Sequence, residues 1–320
     1  MRRTVLGLLV GAALAAGCGG GDGGAGGERA TLVLDFTPNA VHAGIYTALA
    51  RDYDDAEGVR LRVQAPSSST DSVRLLQAGR ADMAILDIAD LALARQQGRD
   101  VVGVMAIVQR PLAAVIAQRE VRTPKQLEGR KAGVAGLPSD TAVLRSVVRG
   151  AGGDPDEVEQ VTIGFNAVPA LLGRRVAAAT AFWNAEGVAL RKRGGPNRFR
   201  EFRVDDYGAP SYPELVLCVS RRTLDEDADV VDAAVAALRR GYEEALRDPE
   251  SAVETLVRRN RGLERELVLD ELQALGSAFT AGADRFGELD RERLEAWARW
   301  AEEFGLVRER PDVAAAFRLR

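Results

Sequence analysis

From Thr31 onward, short apolar runs alternate with segments of helical period, and this order constrains the fold more tightly than any other feature of the chain. Runs of strand length fall at Thr31 to Asp35, Arg60 to Gln64, Met83 to Leu86, Val101 to Val108 and Ala113 to Ala117. Amphipathic segments at Val41 to Arg51, Ser72 to Ala78 and Ala89 to Gln96 separate them. Strands that alternate with helices imply an α/β fold with a mostly parallel sheet covered on both faces. A second series follows, with strands at Ala132 to Ala135, Gln160 to Ile163 and Ala178 to Phe182 and helices near Thr141 to Arg149 and Val168 to Arg174. Glu214 to Val219 reads as a strand returning to the first body. Two α/β lobes joined by two crossings are expected, near Ala117 to Thr123 and Gly208 to Pro213, so that residues 30–118 and 213–320 form one lobe and 119–212 the other. Beyond Asp225 the pattern is helical, over Ala228 to Arg247, from Asp248-Pro249 to about Arg259, and over Asp290 to Glu303.

The first thirty residues follow another logic. Arg2 and Arg3 precede an apolar run from Val5 to Ala16, too short to span a bilayer comfortably, and small residues lead to Cys18. This is the pattern of a secretory signal. Leu14-Ala15-Ala16-Gly17-Cys18 resembles a bacterial lipobox, which implies cleavage after residue 17 and a lipid on Cys18; an ordinary signal peptide with an incidental cysteine is the alternative. Gly19 to Gly27 holds seven glycines in nine residues, so residues 18–29 read as a tether that anchors the body to the outer face of the membrane. Cys218, the other cysteine, sits within the apolar run Leu215 to Val219 and reads as a small buried hydrophobe.

A net charge of −4 with mixed signs along the chain argues against a polyanion-binding surface, so nucleic acid is not an expected partner. One histidine, no free thiol outside a strand, no glycine-rich nucleotide loop and no G-x-S-x-G elbow leave no catalytic set. No metal or other cofactor is expected; Asp54-Asp55 and Asp205-Asp206 read as solvated loop charges.

Chemistry gathers instead at strand ends, where ligands bind in open α/β sheets. The turn after the first strand carries Phe36, Asn39 and His42. Phe36 offers an apolar plane, Asn39 a donor and an acceptor, and the helix start its free N–H groups. Asn39 is equally a good N-cap, and a lone histidine usually makes a local hydrogen bond. Ser67 follows the second strand, Asp87 the third, Ser139 and Asp140 the first of the second series, and Trp183, Asn184 and Glu186 a later one. Each has a capping or packing alternative. Together they are expected to converge on one cleft between the lobes.

These residues carry a resemblance. LDFTPNAVHAGIYTALARDY, Gly79 to Ile85, Pro138-Ser139-Asp140, Phe182 to Gly187 and Asp206 to Val216 resemble segments of the ABC-importer binding proteins related to the fungal thiamine-pyrimidine synthases, over about residues 31 to 220. The resemblance implies a type II periplasmic binding protein, a two-lobed clamp that hands one small molecule to a membrane permease on the extracytoplasmic side. It points to the branch that binds pyrimidine precursors of thiamine. Phe36, Trp183 or Tyr207 would then stack on a flat ring, Glu186 would accept from its amino group, Asn39 would bind a ring nitrogen or substituent, and Ser139 and Asp140 would reach from the second lobe. The fungal synthases use a histidine and a cysteine-rich motif with iron, and the cysteines are missing here. Sulfonate, nitrate and riboflavin binders share the fold; a sulfonate or nitrate site would call for an arginine clamp or several N–H donors, and these loops contain no arginine.

Overall fold

The computed structural model describes residues 27–67 and 71–319. The signal segment, most of the glycine tether and Cys18 lie outside the described residues, as do residues 68–70 beside Ser67. The first lobe opens with β1 (Glu28–Val33), α1 (Ala43–Ala50), α2 (Tyr53–Ala56), β2 (Val59–Gln64), α3 (Asp71–Gln77), β3 (Met83–Asp87), α4 (Ile88–Gln96) and β4 (Val101–Val108). The second holds β5 (Ala113–Gln118), β6 (Lys131–Val134), α5 (Pro138–Gly150), β7 (Glu159–Thr162), α6 (Ala167–Leu172), β8 (Ala178–Phe182), α7 (Glu186–Gly194) and β9 (Phe199–Arg203). The chain then returns through β10 (Leu215–Ser220) and ends in α8 (Arg221–Glu226), α9 (Ala228–Arg247), α10 (Pro249–Arg259), α11 (Arg265–Leu275), α12 (Arg291–Glu303) and α13 (Val313–Ala316).

The sheets have the strand orders β2-β1-β3-β10-β4 and β7-β6-β8-β5-β9. Both are mostly parallel, as expected, with one reversed strand each. In the first, β1 runs parallel to β2 and β3 while β10 is antiparallel to β3 and β4; in the second, β6 runs parallel to β7 and β8 while β5 is antiparallel to β8 and β9. The reversed strand in each case is one that enters from the other lobe. β5 also corrects the expected crossing: Ala113 to Ala117 belongs to the second sheet, so the chain leaves the first lobe at residues 109–112 and returns at 208–214. An apolar run does not announce which of two sheets it will join.

Along the central strands, side chains alternate between two buried layers. Leu32, Ile85 and Ile116 face one layer, and Val33, Leu86 and Val115 the other, the period of two that a pleated strand imposes. Each layer runs through both lobes. On one side α1 and α9 cross closely, since a Cβ on Gly44 would lie 2.2 Å from Cγ of Tyr242 and one on Gly241 would lie 2.3 Å from the Gly44 carbonyl oxygen. On the other side α12 lies against both lobes, with Trp297 packed on Tyr212 and the Trp300 indole N–H donating to Ser146 Oγ of α5 at 3.0 Å.

Candidate ligand-binding cleft

The loop after β1 is held by its own polar groups. Asn39 caps the short turn that leads into α1, accepting from the Val41 N–H at 2.9 Å, and its own N–H donates to His42 Nδ1 at 3.1 Å. A backbone N–H can only donate, so Nδ1 is the unprotonated nitrogen and Nε2–H donates to Asp35 Oδ1 at 2.7 Å. His42 is fully buried and thus serves the loop from beneath rather than facing a ligand. Tyr242 pins the same segment from α9, its hydroxyl donating to the Val41 carbonyl at 3.0 Å. The result presents Phe36 to solvent on a loop held by these hydrogen bonds.

Across from it stands the second lobe. Phe36 and Phe165 have ring centroids 6.3 Å apart and belong to opposite lobes. Among the described residues the exposed large hydrophobic side chains are Phe36 (49%), Leu137 (40%), Phe165 (69%) and Phe182 (42%), and all of them line a single cavity of about 400 Å³ between the lobes. Asn39, Asp87, Asn184 and Glu186 line it too, and a smaller inner chamber of about 100 Å³, shared by Asp87 and Glu186, adds Ser139 and Asp140.

The polar lining is acidic. Asp87, at the end of β3, caps α4 by accepting from the Ala89 N–H at 2.7 Å; burial, then the neighbouring Glu214, holds its carboxyl well above the ordinary carboxylate range. Glu214 sits in the returning crossover and accepts from the Leu112 N–H of the outgoing one at 2.5 Å and from the Ala113 N–H at the start of β5 at 3.3 Å. Burial raises its pKa, partly offset by the Leu112 N–H. Glu186 begins α7 and accepts from the Phe182 N–H at 3.0 Å; its pKa is also raised by burial. Asp90 is pushed up to about 7 by burial, with Asp87 and Asp35 adding to it, and Glu271 to about 7 by burial, against the Ala40 N–H that it accepts. Asn184 is 4% exposed, and its buried Oδ1 has no hydrogen-bond donor among the described residues.

Not every expected site residue reaches the cavity. Trp183 is buried, its indole N–H donating to the Pro111 carbonyl at 2.9 Å and the Arg203 guanidinium lying 4.0 Å over its ring; it follows Phe182 by one residue and so faces the other way. Tyr207 packs edge-on against Phe202 at 5.8 Å, near the C-terminal end of α5, outside the lining. Ser67 hydrogen-bonds to Asp71 and is likewise outside it. Asp140 lines the inner chamber while accepting from the Gly136 and Leu137 N–H groups, both at 2.9 Å, and from Thr180. Conversely, sequence reasoning missed Leu137, Phe165, Asp90, Glu214 and Glu271 as lining residues. Phe165 in Gly164-Phe165-Asn166 follows a strand end and carried a usable signal; Glu271 comes from α11, a helix the pattern did not suggest.

A profile described as NMT1/THI5 like matches residues 39–252. The formylaminopyrimidine-binding protein of Halalkalibacterium halodurans is 30% identical over 294 residues, 90% of this chain and 88% of its own length. The 4-amino-5-hydroxymethyl-2-methylpyrimidine phosphate synthase of Legionella pneumophila is 23% identical, over 72% of this chain and 73% of its own. Among solved structures, the periplasmic aliphatic sulphonate binding protein SsuA of Escherichia coli superposes with a TM-score of 0.72 at 14% identity, covering 90% of this chain and 96% of that one. That likeness establishes the two-lobed periplasmic binding fold. Among the described residues no helix is long and apolar enough to cross a membrane.

Proposed function

The chain belongs to the NMT1/THI5-like family, and from that premise we propose that it captures a pyrimidine precursor of thiamine, of the hydroxymethylpyrimidine or formylaminopyrimidine type, between its lobes and delivers it to an ABC permease. It does so from the extracytoplasmic face of the membrane, tethered by a lipid on Cys18, and it does not transform the ligand. The observation that carries this reading is the convergence of all the exposed large hydrophobic side chains among the described residues on one interlobe cavity that also holds Glu186. Exposed apolar surface of this kind marks a place where something binds. Phe36 and Phe165, tilted against each other with centroids 6.3 Å apart, give a flat ring aromatic surface to pack on at the cavity wall, each aromatic contact contributing about 0.5 to 1.5 kcal/mol beyond burial. Glu186, anchored by the Phe182 N–H, offers its remaining acceptor capacity to an exocyclic amino group.

A thermal-shift screen against pyrimidine precursors, thiamine, riboflavin, sulfonates and nitrate tests the reading. A pyrimidine should raise the melting temperature in a concentration-dependent way, since a ligand of the native state stabilises it by mass action. A shift with sulfonate or nitrate alone would replace the ligand class, and stoichiometric iron in the purified protein with turnover of a precursor would replace binding by synthesis.

A further inference from the structure

The residues that line the interlobe cavity include Asp35, Asp87, Asp90, Glu186, Glu214 and Glu271, while no lysine, arginine or histidine lines it or the inner chamber among the described residues. A second, independent feature points the same way. Asn184 lines the cavity, is 4% exposed, and its buried Oδ1 has no donor among the described residues, which leaves acceptor capacity for an N–H from outside the protein. The carboxylates are not arranged for a metal ion, because no group of three or more histidine, cysteine, aspartate or glutamate side chains among the described residues is spaced to hold one.

Deepening the reading of this cleft as a pyrimidine site, and resting on it, we infer that the cavity selects its ligand by charge, taking a cationic or readily protonated nitrogen heterocycle and refusing phosphorylated or otherwise anionic forms of the same ring. A ring nitrogen opposite an amino substituent is basic, because the amino lone pair delocalises the added charge. Protonated, it offers one more donor to the acidic wall and relieves the mutual repulsion of the carboxylates. A phosphate would add negative charge to a site of low dielectric with no cation to meet it, which is rejection by an unpaired like charge. Burial, with neighbouring carboxylates adding to it, makes Asp87, Asp90 and Glu271 costly to ionise in the empty cleft, a cost that a ligand bringing positive charge lowers and one bringing a phosphate raises.

The experiment is a charge series on one ring, measured by calorimetry at pH 7.5 with the full-length protein: 4-amino-2-methylpyrimidine carrying at its 5-position an aminomethyl group, a hydroxymethyl group, a formylaminomethyl group or a phosphooxymethyl group. The amine should bind at least as tightly as the alcohol, and the phosphate about a hundred-fold more weakly than the alcohol or worse. Riboflavin and its 5′-phosphate form a second pair. Equal binding of alcohol and phosphate overturns charge selection while leaving the pyrimidine reading intact. Binding of riboflavin but not of its phosphate, with no pyrimidine bound, overturns the pyrimidine reading and upholds charge selection. No binding in either series overturns both. In the Asp90→Asn, Glu271→Gln double variant the gap between alcohol and phosphate should narrow by about ten-fold; an unchanged gap removes these carboxylates from the mechanism.

Discussion

Asn39 shows that a capping side chain can also face a cavity. It caps the turn before α1, as its type suggests, and it lines the cavity. His42, by contrast, is wholly consumed in holding the loop. The division follows from geometry, since a side chain can cap one edge of a turn and still present its other face. Phe165 is 69% exposed and touches Phe36 across the cleft, so Phe165→Ala should leave the unfolding free energy of the empty protein within about 0.5 kcal/mol of the parent while weakening ligand binding several-fold. Denaturant titration beside calorimetry separates the two effects. Glu186→Gln keeps the acceptor for the Phe182 N–H but removes the charge, and is expected to weaken an aminopyrimidine by about ten-fold. Asp90 makes a prediction about pH. Its carboxyl moves from an ordinary 3.8 to about 7 on folding, through burial and then through Asp87 and Asp35, so the native chain keeps a proton that the unfolded chain releases. Stability on its account is greatest below the lower value and is lost as pH rises through the upper one. Asp90→Asn should therefore raise the melting temperature of the empty protein by on the order of 2 °C at pH 8 and leave it unchanged at pH 3, as read by calorimetric scans.

At the scale of elements, the long helices and the central strands were legible because their patterns are strong. Ala228–Arg247 and Ala178–Phe182 have the ends that periodicity predicts. β9 was not legible: Phe-Arg-Glu-Phe-Arg lacks period-two apolar alternation, and it is a strand because it pairs with β5 at a sheet edge, where charged side chains reach solvent. α7 and α11 were also missed. α7 is charged along much of its length and meets α11 at the mouth of the cleft, where Lys192 lies 3.6 Å from Glu266 and 3.3 Å from Asp270. The crossing of α1 and α9 gives a sharper test. Gly241 leaves no room for a methyl group against the Gly44 carbonyl and Ala48, so Gly241→Ala should destabilise the protein by about 1 to 3 kcal/mol despite alanine's higher helix propensity. Because Tyr242 of the same helix pins the Val41 carbonyl, the same variant should also weaken ligand binding by displacing the Asn39 loop.

The whole molecule is a pair of lobes whose relative position is controlled from behind. Arg293 of α12 donates to the Gln109 carbonyl in one crossover and, at 3.3 Å and 2.7 Å, to the Ser211 carbonyl and hydroxyl oxygens in the other. One guanidinium thus ties together the two strands about which the lobes would rotate. Arg293→Met should broaden the distribution of interlobe distances in the empty protein, seen as a larger radius of gyration by small-angle scattering, and saturating ligand should restore the compact value. An unchanged scattering profile would mean that Trp297 and Trp300 alone hold the hinge. By itself the sequence determined the α/β class, the two-lobed plan and the positions of most strand ends, because periodicity of burial is local and each segment carries its own. It also named Phe36, Asn39 and Glu186, since polar and aromatic residues at strand ends need no long-range information to stand out. Only the tertiary structure decided which sheet β5 would join, that Trp183 would turn inward while Phe182 faced the cleft, and that carboxylates from α4, the returning crossover and α11 would meet around one cavity. Those outcomes depend on how segments far apart in the chain pack against one another, and nothing in the neighbourhood of any one residue encodes them.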